Sequence, residues 1–502
     1  MLSTLGQGLA LALQFRALLY QVAGVILGII IGVIPGLGGV QAMAILIPFI
    51  YSMSPAVAFS FLLGAHVATQ YAGSITSMLM NVPASGTNIA TCWDGYPLAR
   101  QGRAAEALGI GAMSNVLGAW IGAIVLSISV PVMQSLATAI QPPELFMVTM
   151  LGLTLVASLS GKSLVKGIIS GLLGLAIASV GQDPVTGILR YTFGIPYLMD
   201  GVNLVTVVVG MYAVGEMIRL FTAGERSIAQ AVTVSDFSGV WKGMLQPFKH
   251  WWALVYASLI GTLMGVVPGV GGTVSNIVAY GQVRQASKNP ETFGTGRVEG
   301  LIAPEASHIA KEGGQMIPTL ALGVPGGEAT AILLSAFLIV GLQPGPTMVS
   351  QHADLIYAIV FIIALSSVFT SIIGLSTARY LSRITTVPVP LLAPIIIMFA
   401  VVGAYAATTS ALSVVLALIF GVLGYFMRRF DYSEPSLIVG LVLGTIAQPN
   451  LHIALMLYGP RFIWERPITL VLSIATVLVL FLPYLLKRLR PRPGAADASP
   501  GA

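Results

Sequence analysis

Ionisable residues inside apolar runs are the first places to look for chemistry in this chain. A charge at membrane depth is costly and persists only with a partner or a task. Glu305, His308 and Lys311 follow one another at intervals of three, so they share a helix face. Glu305 and His308 could exchange a proton or a hydrogen bond, and the three together could relay a proton or charge. Glu328 follows the turn-forming run Leu322-Gly323-Val324-Pro325-Gly326-Gly327. It would repel a carboxylate unless protonated, bound to a cation, or paired, and Lys311 is the candidate partner. The same four residues could equally line a wet vestibule, where none of this would be required. His66 reads as a hydrogen-bonded core histidine.

The elements that would position such groups are broken helices. Gly32-Val33-Ile34-Pro35-Gly36-Leu37-Gly38-Gly39 returns 233 residues later as Gly265-Val266-Val267-Pro268-Gly269-Val270-Gly271-Gly272. Proline removes a backbone donor and glycine accepts angles closed to other residues. Irregular backbone at membrane depth survives only where it is buried in protein or lines a wet cavity. Paired breaks in two halves of one chain point to a transporter's binding site. A second pair, Val82-Pro83 and Val324-Pro325, is 242 positions apart, close to the spacing of the first and in the same order.

Helix N-termini after these breaks present free amides and a partial positive charge, which suits a carboxylate. Pro83, Ser85, Gly86, Thr87 and Asn88 are the substrate candidates of the first half. Pro325, Gly326, Gly327, Glu328 and Thr330 are those of the second. Plain helix capping by Ser, Thr and Asn explains the same residue types. A coupling cation needs oxygen ligands, from loose carbonyls and from Asn, Ser or Thr. Gly36, Gly38, Asn81, Gly269, Gly271, Thr273, Ser275 and Asn276 could supply them and hold Na+; tight packing is the competing reason for the glycines. Asp94 with Arg100 and Arg103, and Asp183 with Arg190, read as charges at span ends that form boundary or gate pairs.

Composition sets the medium. The chain is 56% hydrophobic and 8% charged over 502 residues, with a mean hydropathy of +0.90. At about 20 residues per span, the apolar runs predict roughly ten to twelve membrane crossings in an all-α polytopic protein with additional re-entrant helices. The excess of basic residues, 24 against 18 acidic, falls mainly at span ends, as orientation signals; nucleic-acid binding has no support. A single cysteine, Cys92, excludes an internal disulfide. The N-terminal stretch lacks the basic start of a cleavable signal peptide. Residues 1–245 and 246–486 read as two homologous repeats, with 221–249 as the polar linker and 487–502 as a disordered cytoplasmic tail. The positive-inside count gives parallel halves, and one miscounted hairpin inverts them.

The ordered landmarks resemble the large membrane subunit, the TctA family, of the tripartite tricarboxylate transporters. The resemblance is carried by Pro35-Gly36-Leu37-Gly38, Gly73-Ser74-Ile75-Thr76, and Asp94-Gly95-Tyr96-Pro97 through Ala104. It continues in Gly181-Gln182-Asp183-Pro184, Pro268-Gly269-Val270-Gly271, Phe293-Gly294-Thr295-Gly296, Pro304-Glu305-Ala306, Leu322 to Gly326 and Gly341 to Pro346. It implies secondary active transport in the bacterial inner membrane, of citrate-like tri- or dicarboxylates driven by Na+ or H+, with no other cofactor. The implied partners are a small membrane subunit of about four spans and a periplasmic solute-binding protein. Similarity to more distant elevator carriers favours inverted repeats and elevator-like movement. The chain departs from the family pattern at Ala72, Ala84, His308, Ile309, Lys311, Glu312 and Glu328, which cluster at the expected site and bear on the substrate. A stand-alone ion-coupled carboxylate carrier is the nearest alternative. An intramembrane hydrolase using Ser85 is a remote one, since a serine nucleophile needs a base within hydrogen-bond reach. No His-Glu-x-x-His helix or phosphate loop occurs, and the chain is expected not to be an enzyme.

Overall fold

The structure, a computed structural model, describes residues 2–34, 37–159, 163–223, 238–269, 271–384 and 389–489. The first half runs α1 (Leu2–Ala12), α2 (Phe15–Gly32), α3 (Gly39–Leu46), α4 (Pro55–Met80), α5 (Ile89–Leu98), α6 (Ala104–Ala139), α7 (Pro142–Leu159) and α8 (Leu164–Ala178). A two-residue antiparallel ladder, β1 (Gly181–Gln182) on β2 (Leu189–Arg190), precedes α9 (Leu204–Val208), which continues through a wider π turn at Val209–Val214 into α10 (Gly215–Ala223). Next come α11 (Ser238–Lys249), α12 (Trp251–Val266), α13 (Gly271–Ala286), α14 (Val298–Leu322), α15 (Glu328–Ile339), α16 (Pro346–Gln351) and α17 (Ala353–Ile384). The chain closes with α18 (Val389–Thr408), α19 (Ala411–Arg429), α20 (Glu434–Tyr458), α21 (Phe462–Glu465) and α22 (Pro467–Leu489).

The chain is thus almost wholly helical, as its composition predicts. Among the described residues, 6 helices are long and apolar enough to cross a membrane, and α7, α18 and α22, of 18, 20 and 23 residues, are further apolar helices. The 25-residue α14 carries Glu299, Glu305, Lys311 and Glu312. The expected linker contains α11, which packs on α6, with Lys242 Nζ 3.3 Å from Glu106 and Gln246 Nε2 donating to the same carboxylate. Its residues 224–237 lie outside the described ones. The helix α22 carries the chain on to Leu489, so the tail begins later than 487; its remainder is also outside the described residues.

Two buried helices, α4 and α14, form the centre. Glycines set how close their neighbours come. A Cβ on Gly24, Gly28 or Gly32 of α2 would strike the backbone of Phe61, Ala65 or Thr69 on α4. On α12, Gly261 and Gly265 lie in the same way against the backbone of Ser307 and Lys311 on α14, and α6 brings Gly118 and Gly122 against Ala306 and Ala310. Small residues at four-residue spacing give this backbone-to-backbone seam. Partners are exchanged across the chain: α6 packs on α14 and α17 on α4, while α8 packs on α20 and α19 on the Val209–Val214 turn.

Candidate functional site

Both Pro-Gly breaks and both hairpin tips meet at one cavity of about 500 Å³, within the range of small-molecule sites. Its wall includes Gly38 and Gly39 from the first break, Ser85, Gly86 and Thr87 from the first hairpin, and Gly269 and Gly272 from the second break. Gly327, Glu328 and Ala329 come from the second hairpin. The floor is polar: His66 and Gln70 from α4, and Lys311 and Gln315 from α14. Each of these pairs is four residues apart, so both members of a pair face the same side of their helix.

The first hairpin is tied down by its own side chains. Asn81 ends α4 in the left-handed conformation, at φ 57°, donating its amide to Ser77 O. Ser85 Oγ lies 2.7 Å from Thr87 Oγ1 and 3.0 Å from Asn88 Oδ1, and Thr87 Oγ1 donates to Gln70 Oε1 at 2.8 Å. These four oxygens are the donor type that hard cations take. Asn88 Nδ2 donates to Gln70 O and to Ser74 Oγ, at 2.9 and 3.0 Å. Asn276 Nδ2 of α13 donates to Thr87 O, tying the second break to the first hairpin. At the second hairpin, the Gly326 amide donates to Thr319 Oγ1 at 3.2 Å and the Gly327 amide to Thr330 Oγ1 at 2.9 Å.

The buried charges pair differently from the sequence expectation. Glu305 does not bond His308: its Oε1 accepts from Ser74 Oγ at 2.7 Å and Thr91 Oγ1 at 2.6 Å, from α4 and α5. His308 Nε2 instead lies 3.3 Å from Asn115 Nδ2 on α6. Lys311 forms its ion pair with Glu312, not Glu328, and His66 Nε2 approaches the same Glu312 carboxylate at 2.9 Å. All three side chains are nearly dry, at 4% or less exposed. Glu328 is an exposed residue whose surface lies on the cavity.

Of the residues expected to bind, Ser85, Gly86, Thr87, Gly327, Glu328, Gly38, Gly269 and Lys311 line the cavity. Asn88, Pro325, Gly326, Thr330, Ser275, Asn276, Glu305 and His308 are buried away from it, where they hold helices together or pack. Pro83 and Asn81 are exposed and off the cavity wall. The amides of Gly326 and Gly327 are taken by threonine hydroxyls, so the free donors of this tip are the first-turn amides of α15. Gly271 opens α13. Gly36 and the side chain of Thr273 lie outside the described residues. Gln41, Gln70 and Gln315 were missed; their signal was an amide side chain in an otherwise apolar or small-residue run.

The charged span ends also change meaning. Asp94 is fully buried; its Oδ2 accepts from Tyr280 OH at 2.8 Å, and its Oδ1 from the amides of Gly294, Gly296 and Arg297 at 2.7–2.9 Å. It fixes the loop between α13 and α14. Arg103 pairs with Glu106 at 2.8 Å. Asp183 and Arg190 do pair, at 2.8 Å across the β1–β2 turn. Ser85 Oγ bonds Thr87 and Asn88, and among the described residues no histidine shares a hydrogen bond with it.

A multi-pass helical membrane protein whose broken helices close on one polar cavity has the architecture of a solute transporter. The profile of the tripartite tricarboxylate transporter TctA family matches residues 18–439, and the chain belongs to that family. An uncharacterized 52.8 kDa protein of the TAR-I ttuC' 3' region of Agrobacterium vitis is 30% identical over 489 residues, 96% of this chain and 97% of that protein. An uncharacterized protein of the TAR-II ttuC' 3' region of the same organism is 30% identical over 197 residues, 39% of this chain and 81% of its own length.

Proposed function

We propose that this chain is the translocating subunit of a secondary carrier that imports small carboxylates across a bacterial inner membrane. It would be driven by a Na+ or H+ gradient and work with a small membrane subunit and a periplasmic binding protein. The observation that carries this reading is the convergence of four backbone breaks on one cavity. A carboxylate there can meet the first-turn amides of α15, the hydroxyls of Ser85 and Thr87, and the Lys311 ammonium. The oxygens of Gln70, Ser85 and Thr87 on the cavity wall, with Asn88 Oδ1 buried behind Ser85 and the carbonyls near Gly38 and Gly269, are our candidates for the coupling cation.

We also propose that the halves are inverted repeats moving as an elevator. The exchanged pairings of α4 with α17 and α14 with α6 support duplication. So do His66 and His308, which stand the same 242 positions apart as the two Val-Pro pairs.

The test is uptake into proteoliposomes holding the chain and its small partner, with a carboxylate panel, under separate Na+ and H+ gradients. Uptake that requires loaded binding protein supports the tripartite reading. Uptake without it makes the chain a stand-alone carrier, and no uptake by folded protein refutes carboxylate transport.

A further inference from the structure

We propose that Glu328 and Gln315 form a binding site for a monovalent cationic group that occupies the cavity together with the anionic cargo. The inference rests on the carrier reading above, because it concerns the same cavity. Charge balance is the first ground. Lys311 and Glu312 neutralise one another in their buried ion pair. The buried cluster by the first turn of α20 is balanced too: Arg219 and Arg428 are set against Glu216 and Glu434. Among the described residues no protein cation lies within ion-pair distance of Glu328. One carboxylate with no ion-pair partner among the described residues therefore faces the space that an anionic cargo has to enter.

The second ground is an orphaned acceptor. Gln315 is 3% exposed, lines the same cavity, and its Oε1 has no hydrogen-bond partner. A Cβ added to Gly327 would meet the Gln315 carboxamide, so that group borders the turn that carries Glu328. A carboxylate and a carboxamide oxygen are acceptors for an ammonium N–H and hard ligands for an alkali cation. The cation has two possible sources with this shared chemistry: an ammonium carried by the cargo, or a free alkali ion.

The test uses the purified full-length chain in detergent and reads the tryptophan-fluorescence unfolding midpoint during titrations. Sodium chloride is compared with choline chloride, each in the presence of succinate, and aspartate is compared with succinate in choline. These two acids differ by one ammonium group. A midpoint raised by sodium assigns a free alkali ion, and one raised in choline by aspartate but not succinate assigns a cargo ammonium. In either case Glu328→Gln and Gln315→Leu should each weaken the apparent cation affinity by about tenfold, while Glu328→Asp keeps a response. A Glu328→Gln variant that responds like the parent overturns the proposal, as does a parent insensitive to both cations. The readout needs no partner subunit and no transport, so cation binding can fail while uptake succeeds, and the reverse.

Discussion

Replacing Lys311 by Met tests whether the cavity floor is held by a dry ion pair. Lys311 and Glu312 are 4% and 1% exposed, so Lys311→Met leaves the Glu312 carboxylate with only His66 beside it. Removing one partner of a buried pair costs about 3–5 kcal/mol, because the remaining charge stays uncompensated. The variant Glu312→Gln leaves an ammonium whose stem lines the cavity; it can turn toward water, so the expected loss is smaller, roughly 1–3 kcal/mol. The double variant has no orphaned charge, and replacing both partners of a buried pair is often close to neutral. It should therefore be more stable than the sum of the singles by at least about 2 kcal/mol, near the upper end of measured pair couplings. Reversible denaturant unfolding in mixed micelles, followed by tryptophan fluorescence, measures the cycle. Additivity within about 0.5 kcal/mol would refute the dry pair and mean that cavity water solvates each charge separately.

Gly326→Ala should destabilise the second hairpin by about 1–3 kcal/mol, because its Cβ would lie 2.6 Å from Gln315 Cα and 2.7 Å from its carbonyl oxygen; limited proteolysis at the tip reports it. The missing side chain faces α14, not the cargo, so uptake should fall through folding and not through blockage. Asp94→Ala leaves three loop amides and a tyrosine hydroxyl without their acceptor, an expected cost of ~3–5 kcal/mol, seen as faster hydrogen exchange over residues 293–297. At the β1–β2 turn, the amides of Thr186 and Val185, with Arg190 beside them, hold the Asp183 carboxyl below the usual carboxylate range. A depressed folded value stabilises the turn above the unfolded pKa and is lost as pH falls through the lowered value. Protection of the Thr186 and Val185 amides, relative to their intrinsic exchange, should therefore persist below the pH at which a free aspartate titrates, about 4, and be lost as the pH falls through the lowered value, and Asp183→Asn should remove that pH dependence.

The breaks were legible because Pro and Gly act on the backbone wherever they stand. Gly38, Ser85, Thr87, Gly269, Gly327 and Glu328 could be named from the string and do share one cavity. Side-chain pairing was not legible in the same way. Glu305 finds its donors on Ser74 and Thr91, 231 and 214 positions away, whereas helical spacing offered only His308. Spacing could not show that α6 passes beside His308 and presents Asn115 to it. Asp94 looked like a solvated span end because its acceptor role is filled by backbone amides, which leave no trace in residue type. Gln70 and Gln315 were overlooked for a related reason: an uncharged amide attracts less notice than a charge, though it too is costly to bury unpaired.

The floor and the rim of the cavity are built from different interactions, and they should differ in mobility. On α14, the backbone around Ala306 to Gly314 touches glycines of α6 and α12 without intervening side chains. Such a seam leaves no room to shift without a clash, because packed interiors lack free volume. Ser85 to Thr87 and Gly326 to Glu328 are instead held by hydrogen bonds, to Gln70, Asn88 and Asn276 at the first tip and to Thr319, Thr330 and the Gly269 amide at the second, each worth about 0.5–1.5 kcal/mol net. Cargo would then enter by displacing the tips against a fixed α14, which keeps Lys311 in register with the Glu312 carboxylate. Hydrogen exchange should be fastest at the two tips and slowest along residues 306–314, with cargo and salt slowing the tips alone. Equal protection of tips and floor, or slowing confined to α14, would show that the cavity opens by some other movement.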